Sequence, residues 1–168
     1  MSPVSCLDVL TAMPIEATVC LIRRDGKLLL QKKASERFGG GKWDGPGGKL
    51  RPGESPAEGV LREVGEETGL TVIDPTFHGT FDVYFGPRDE PDWVVHVFSA
   101  SRFRGELRPS DEGELRWFPE DQLPYEEMWP SDPHWLPDVL AGHRFQATLW
   151  FDERAEKLLD HSVNLDPE

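Results

Sequence analysis

Residues Gly47 to Leu70 read GGKLRPGESPAEGVLREVGEETGL. Ser55, Pro56 and Glu58 are a helix start: a capping hydroxyl, a proline for the first helical position, and an acid placed to complete a capping box. Gly69 suits the left-handed residue that ends a helix. Between them Ala57, Val60, Leu61 and Val64 follow i, i+3, i+4, i+7 and are the expected buried stripe. Glu63, Glu66 and Glu67 fall at i, i+3, i+4 on a neighbouring face, with Gly59 one turn earlier. Like charges at this spacing cost about 0.2–0.5 kcal/mol per pair. Two readings are open: a solvated acidic face, or carboxylates turned toward a cation. The preceding loop bears on the choice. In PGGK, glycines permit close backbone approach to a ligand, and Glu54 stands just before the cap. The donors are all oxygen, with no His or Cys nearby, which suits Mg²⁺ or Mn²⁺ rather than zinc. Mg²⁺ usually takes one or two carboxylates together with substrate phosphates. A metal bound with a polyphosphate therefore accounts for the acidic cluster.

Outward from the helix, hydrophobic patterning predicts an α+β domain. EATVCLI alternates and is rich in β-branched residues, RRDG carries an Asp-Gly turn signal, and KLLLQKK reads as the returning strand of a hairpin. ERFGGGKWDGPGG is a glycine-rich loop that keeps Phe38 and Trp43, more in keeping with a binding loop than with a plain connector. Beyond the helix, TVIDPTFHGTFDVYF and DWVVHVFSASRF read as strands and LRWFP as a short one. PEDQL and DPHWLPDVLAG suggest short helices, and RFQATLWFD and KLLDHSVNL two final strands. A mixed sheet with two or so helices packed on it is the expected architecture. Residues 1–14 read as a loose arm and 15–168 as a single domain.

Composition restricts the function classes. The 168 residues are 38% hydrophobic and 29% charged, with Cys6 and Cys20 the two cysteines. No apolar run spans a membrane, and the start of the chain lacks the features of a signal peptide. A cytoplasmic, non-disulfide protein is the expectation. The net charge of −13 argues against a nucleic-acid duplex as partner. The charge is uneven, however. Nine Lys and Arg between Arg23 and Arg51 stand against Asp25, Glu36 and Asp44, a local +6 in a chain whose remainder is −19. That segment is either solvated hairpin charge or a basic rim for an anionic ligand.

Gly48, Glu54 and the run Arg62-Glu63-Val64-Gly65-Glu66-Glu67-Thr68-Gly69-Leu70 resemble the Nudix box at every fixed position. The resemblance implies an α/β/α sandwich around a mixed sheet, and Mg²⁺-dependent hydrolysis of a nucleoside diphosphate linked to another group. GGKWDGPGGKL and WFPEDQLPYEEMWPSDPHWLP, with VHVF, SDE and LLDHSV, resemble the mammalian-type MutT homologues. These hydrolyse oxidised purine nucleoside triphosphates such as 8-oxo-dGTP to the monophosphate and pyrophosphate. Similarity extends from about Ala17 to Leu165.

Carried over residue by residue, the resemblance makes Glu63, Glu66 and Glu67 metal ligands, the Gly48 carbonyl a further one, and one glutamate an activator of water. Glu112 matches an acid that approaches the metal site, or is a loop acid. Arg62 orients a glutamate by ion pairing. Lys32 and Lys49 are candidates for phosphate contact, with Lys33 less favoured. A two-residue insertion after Lys32 shifts that alignment. Trp129 resembles the indole that stacks on the purine, and Phe38 and Trp135 resemble pocket walls. Trp43 and Trp117 read as core, and His78, His96, His134 and His143 as structural. The implied partner is a small-molecule nucleotide, with a monomer as the default. Other nucleotides, or a non-catalytic nucleotide sensor, are the competing functions.

Two departures bear on the base. Where the pattern has WNG and two adjacent aspartates, this chain has Asp44, and Ser131 followed by Asp132. A pair of aspartates sharing a proton can both donate and accept. Ser131 removes that adjacent pair, so the expectation is a guanine-type preference with oxidised adenine triphosphates hydrolysed poorly.

Overall fold

The computed structural model describes residues 13–34, 40–108 and 113–166. Strands β1 (Ile15–Arg24) and β2 (Lys27–Lys33) form the expected hairpin, with Arg24 paired to Lys27. Asp25 and Gly26 both have positive φ, 53° and 74°, as a two-residue hairpin turn requires. The two strands then diverge. β1 continues alongside β6 (Trp93–Ala100) in parallel, and β2 takes β3 (Trp43–Asp44) and β8 (Gly113–Pro119) as antiparallel neighbours. Helix α1 (Pro56–Thr68) follows β3 and is succeeded by β4 (Thr71–Val72) and β5 (Thr76–Phe85). Strand β7 (Phe103–Arg104) pairs with β4. A 3₁₀ turn, Tyr125–Glu127, precedes helix α2 (Asp132–Leu140) and strands β9 (Phe145–Phe151) and β10 (Leu158–Leu165). The main sheet has the order β10-β9-β5-β6-β1-β2-β3, with β8 also on β2.

Alternation along the strands builds two cores. Val19, Leu21 and Val97 face α2, where they meet Trp135, Leu136 and Val139. Cys20, Ile22 and Phe98 face the other way, against Val60 and Val64 of α1. The sheet is therefore covered by one helix on each side, the α/β/α sandwich expected from the sequence. Burial pushes the Cys20 thiol up to about 12, so it behaves as a small hydrophobe.

The structure corrects three local expectations. The stretch 71–85 is not one strand: Asp74 at φ 51° and Pro75, which has no N–H for a ladder, split it into β4 and β5. PEDQL is a turn, and the short helical turn comes later, at Tyr125–Glu127. The buried face of α1 is Gly59, Val60, Val64, Glu67 and Thr68, whereas Ala57 is exposed and Leu61 is 42% exposed. Hydrophobicity alone favours Leu61, but Glu67 and Thr68 can be buried because both are hydrogen-bonded. Thr68 Oγ1 donates to the Val64 carbonyl at 2.7 Å, and Glu67 accepts from the Gly47 N–H at 2.9 Å.

Candidate active site

The helix caps come out as the residues require. Ser55 accepts from Glu58 N–H while Glu58 accepts from Ser55 N–H, and Gly69 closes the helix at φ 84°. This fixed start brings Glu54 against Arg62. Arg62 Nε and Nη2 meet the two oxygens of Glu54 at 2.7 and 2.9 Å, a bidentate pair. Nη1 reaches Glu63 and Glu66, both at 3.1 Å, and Nη2 also donates to the Lys49 carbonyl at 3.1 Å. One guanidinium thus ties loop, cap and helix face together. These bonds hold the Glu54 carboxyl at about 2, well below the usual carboxylate range. Burial raises the proton affinity of Glu63, Arg62 opposes it and the charge of Glu66 adds to it.

The three box glutamates are not equivalent. Glu67 is 5% exposed and Glu63 half-buried, and both line a cavity of about 570 Å³. Glu66 lies outside its walls, with oxygens on Arg62 and, at 3.2 Å, on Arg51. Among the described residues no three His, Cys, Asp or Glu gather around one point closely enough to hold a metal. Two carboxylates on the cavity wall do suit Mg²⁺, whose remaining positions go to water and phosphate oxygens.

A side chain on either neighbouring glycine would collide, at Gly47 with fixed backbone and at Gly48 with the Glu63 carboxylate, which it would displace. A Cβ on Gly48 would stand 2.0 Å from Glu63 Oε2, and one on Gly47, at φ 156°, would stand 2.1 Å from the Thr18 carbonyl. The Gly48 carbonyl accepts from Thr18 N–H at 2.9 Å and from Thr18 Oγ1 at a longer 3.4 Å.

The same cavity is lined by aromatic side chains as well as by the glutamates. Trp129 lines it and stands edge-on to Phe151, with the Lys42 ammonium 5.2 Å from the centre of its ring. Trp135 reaches the cavity but is 3% exposed and stacks on Phe145 at 5.7 Å, so it serves the core as well. Ser131, Asp132 and Asp44 are in the wall. Lys49 lines the cavity, and of the two lysines that end β2 it is Lys33 that does so, while Lys32 turns toward Trp43. Successive strand residues point to opposite faces, so only one of the pair can reach the site. Phe38 and Glu112 lie outside the described residues. Trp43 is core, packed edge-on to Phe118, and Trp117 lies beneath the Arg24 guanidinium. His78 is structural: its ring nitrogens meet the His143 carbonyl and Ser99 Oγ.

Sequence reading missed Phe81, Val83, Phe85, Trp93, Leu149 and Phe151, which complete the apolar lining. The period-two spacing of 81, 83 and 85 was visible. Their convergence with 149 and 151 depends on the parallel pairing of β5 with β9, which no local pattern announces.

Asp44, one of the two departures from the family pattern, is electrostatically linked to Asp132, which keeps that pattern. Asp44 and Asp132 interact across the cavity wall. Burial raises the proton affinity of Asp44, opposed by Lys33 and by the Gly45 N–H. Burial, and then the charge of Asp44, push Asp132 well above the usual carboxylate range. The Trp129 N–H and the nearby Trp135 indole favour its charged form, although that indole N–H lacks an acceptor in hydrogen-bond geometry. The charge of Asp44 thus acts on Asp132, although Ser131 interrupts the adjacent pair of aspartates.

Comparison with known proteins gives a consistent picture. The NUDIX domain profile matches residues 13–139. The chain is 39% identical over 148 residues to the oxidized purine nucleoside triphosphate hydrolase of Danio rerio, covering 88% of this chain and 92% of the relative. To the protein of that name from Mus musculus it is 34% identical over 147 residues, covering 87% and 92%. The crystal structure of a MutT protein from Bacillus halodurans superposes with a TM-score of 0.79 at 30% identity, covering 89% of this chain and 97% of that one.

Proposed function

The chain belongs to the Nudix family, and from that premise we propose that it is a Mg²⁺-dependent diphosphatase of oxidised purine nucleoside triphosphates, such as 8-oxo-dGTP, that releases the monophosphate and pyrophosphate. The observation that carries this reading is a single cavity lined by Glu63 and Glu67 together with Trp129, Asp44 and Asp132. Carboxylates and an indole on one wall are the chemistry that a metal-bound polyphosphate and a flat base require.

In this reading Glu63, Glu67 and the Gly48 carbonyl would hold a divalent cation, and Glu66 would join only by leaving its two arginines. A bound Mg²⁺ supplies charge neutralisation on the phosphates and activation of water. The protein groups do the rest. Arg62 fixes the Glu63 carboxylate, and the Gly47 N–H fixes that of Glu67. A glutamate of this wall accepts the proton of the attacking water. Lys33 and Lys49 meet the phosphates, and Trp129 holds the base by stacking. Lys42 lies over that indole and must share or yield its face when a base arrives. The working unit in this reading is a monomer acting on free nucleotides in the cytoplasm.

Pyrophosphate release with Mg²⁺, measured as kcat/KM across normal and oxidised purine triphosphates, tests the proposal. The oxidised purines are expected to be the better substrates. A preference for dGTP over 8-oxo-dGTP would move the protein to another Nudix activity.

A further inference from the structure

Helix α2 and strand β10 meet through two imidazoles that the proposed hydrolysis does not use. The rings of His134 and His161 stack with centroids 3.8 Å apart and planes 26° from parallel. His134 is the third residue of α2, and His161 pairs in β10 with Leu149 of β9. Directly paired residues share a face of the sheet, and Leu149 lines the cavity, so His161 lies on the α2 side. Pro130, which follows Trp129 directly, lines the same surface groove as both rings. From Trp129 to His134 the chain is braced by its own hydrogen bonds. Asp132 N–H donates to the Trp129 carbonyl and His134 N–H to the Ser131 carbonyl, both at 3.0 Å, while Trp129 N–H donates to Asp132 Oδ2 at 3.2 Å. The ring stack and the cavity indole therefore stand on one stiff turn. We propose that the His134–His161 stack is an acid-sensitive latch that pins the first turn of α2 to β10 and so positions Trp129. The link to activity rests on the reading of Trp129 as the base-stacking residue.

Neutral imidazoles can lie face to face as flat rings. Two imidazolium ions at this separation repel, and a cation in the first turn of α2 also opposes the helix dipole. Burial, and then the charge of His161, lower the proton affinity of His134 below its ordinary 6.5. The surrounding charges are mixed. Glu156, Lys157 and Asp160 line the groove from β10 and the turn before it. Asp160 Oδ1 accepts from the His161 N–H, and Asp152, at the end of β9, accepts from the Glu156 and Lys157 N–H groups. On α2, Asp138 stands one turn beyond His134, and Asp132 is turned into the cavity. The groove carboxylates favour a first proton on the stack and Lys157 opposes it, whereas a second proton sets two cations ring to ring. A lowered folded-state value gives stability that is complete above the ordinary one and is lost as pH falls through the folded one. The latch is therefore closed above about pH 6.5 and weakens in acid.

Amide exchange of the full chain without nucleotide, followed by NMR from about pH 7.5 to about pH 5.5, tests the latch by itself. Protection factors at Asp132 and His134 should fall about fivefold across that window, the factor that one like-charge contact at this distance is worth in water. The Trp129 indole N–H resonance should move over the same window. His161→Phe keeps a flat ring without a proton, so protection and resonance should both stay level, and the His134 ring should titrate nearer its ordinary value. His161→Ala removes the ring, so protection should already be low at pH 7.5. If His161→Phe fails to fold, His134→Phe takes its place as the stack with one proton site removed. Steady-state kinetics test the consequence. The KM for 8-oxo-dGTP should rise in acid more steeply in the unmodified protein than in His161→Phe, while kcat follows one profile in both. His161→Ala should raise KM at pH 7.5, and phenylalanine at the same position should restore it. Protection that does not change with pH, or an acid loss that persists in the phenylalanine variant, overturns the latch. An acid loss of protection with the Trp129 resonance unmoved, or with equal KM profiles in both proteins, overturns its hold on the indole. Failure to turn over 8-oxo-dGTP, with the acid loss of protection and the resonance shift intact, overturns only the diphosphatase reading.

Discussion

Glu67 is a buried carboxylate whose backbone partner, the Gly47 N–H, an amide side chain can also satisfy. Glu67→Gln should therefore keep the fold, by circular dichroism and melting temperature, while turnover drops at least about a hundredfold, as expected for loss of an acid–base group. Near-normal turnover in a folded variant would remove Glu67 from the chemistry. The two cavity tryptophans should separate in the opposite sense. Trp129 is only half-buried, so Trp129→Ala should weaken nucleotide binding by about 1–3 kcal/mol with a small effect on melting. Trp135 is packed between Phe81 and Phe145, so Trp135→Ala should destabilise by about 3–5 kcal/mol in denaturant unfolding. At this scale the sequence was informative where spacing speaks. Glu63, Glu66 and Glu67 were visible as a cluster, and Trp129 as an aromatic in a motif. That Glu66 would turn to two arginines, and that Lys33 rather than Lys32 would reach the cavity, depended on the rotation of one helix and the pleat of one strand.

The loop and helix around α1 act as one braced element. Arg62 holds Glu54 bidentately from within the helix, and the Glu54 carboxyl is lowered to about 2 from 4.5. The sign follows from the depressed value. The stabilisation is complete above the unfolded pKa and is lost as pH falls through the folded one. Glu54→Gln should melt below the unmodified protein near neutral pH, and the gap should close as pH falls from about 4.5 toward about 2. A gap unchanged across that window would mean that the clamp works through packing rather than charge. Both caps of this helix were readable from Ser55, Glu58 and Gly69, because capping is local chemistry. The buried face was not, because the Gly47 N–H that lets Glu67 go inside lies in the preceding loop. Hydrophobic periodicity cannot register a hydrogen bond to a distant backbone.

Across the whole molecule, the mixed sheet and its two helices were legible from alternating and 3.6-residue patterns, although strand order was not. The parallel pairings of β1 with β6 and of β5 with β9 join segments far apart in the chain, and they create the cavity by bringing β5 and β9 under Trp129. The central claim is that one cavity couples carboxylates competent for a metal to a purine pocket, and its most direct test is the product balance from 8-oxo-dGTP. With Mg²⁺ the unmodified protein should form nucleoside monophosphate and pyrophosphate in equal amounts, with neither appearing after chelation of divalent metal. Formation of the diphosphate with inorganic phosphate, or turnover unaffected by chelation, would contradict the account.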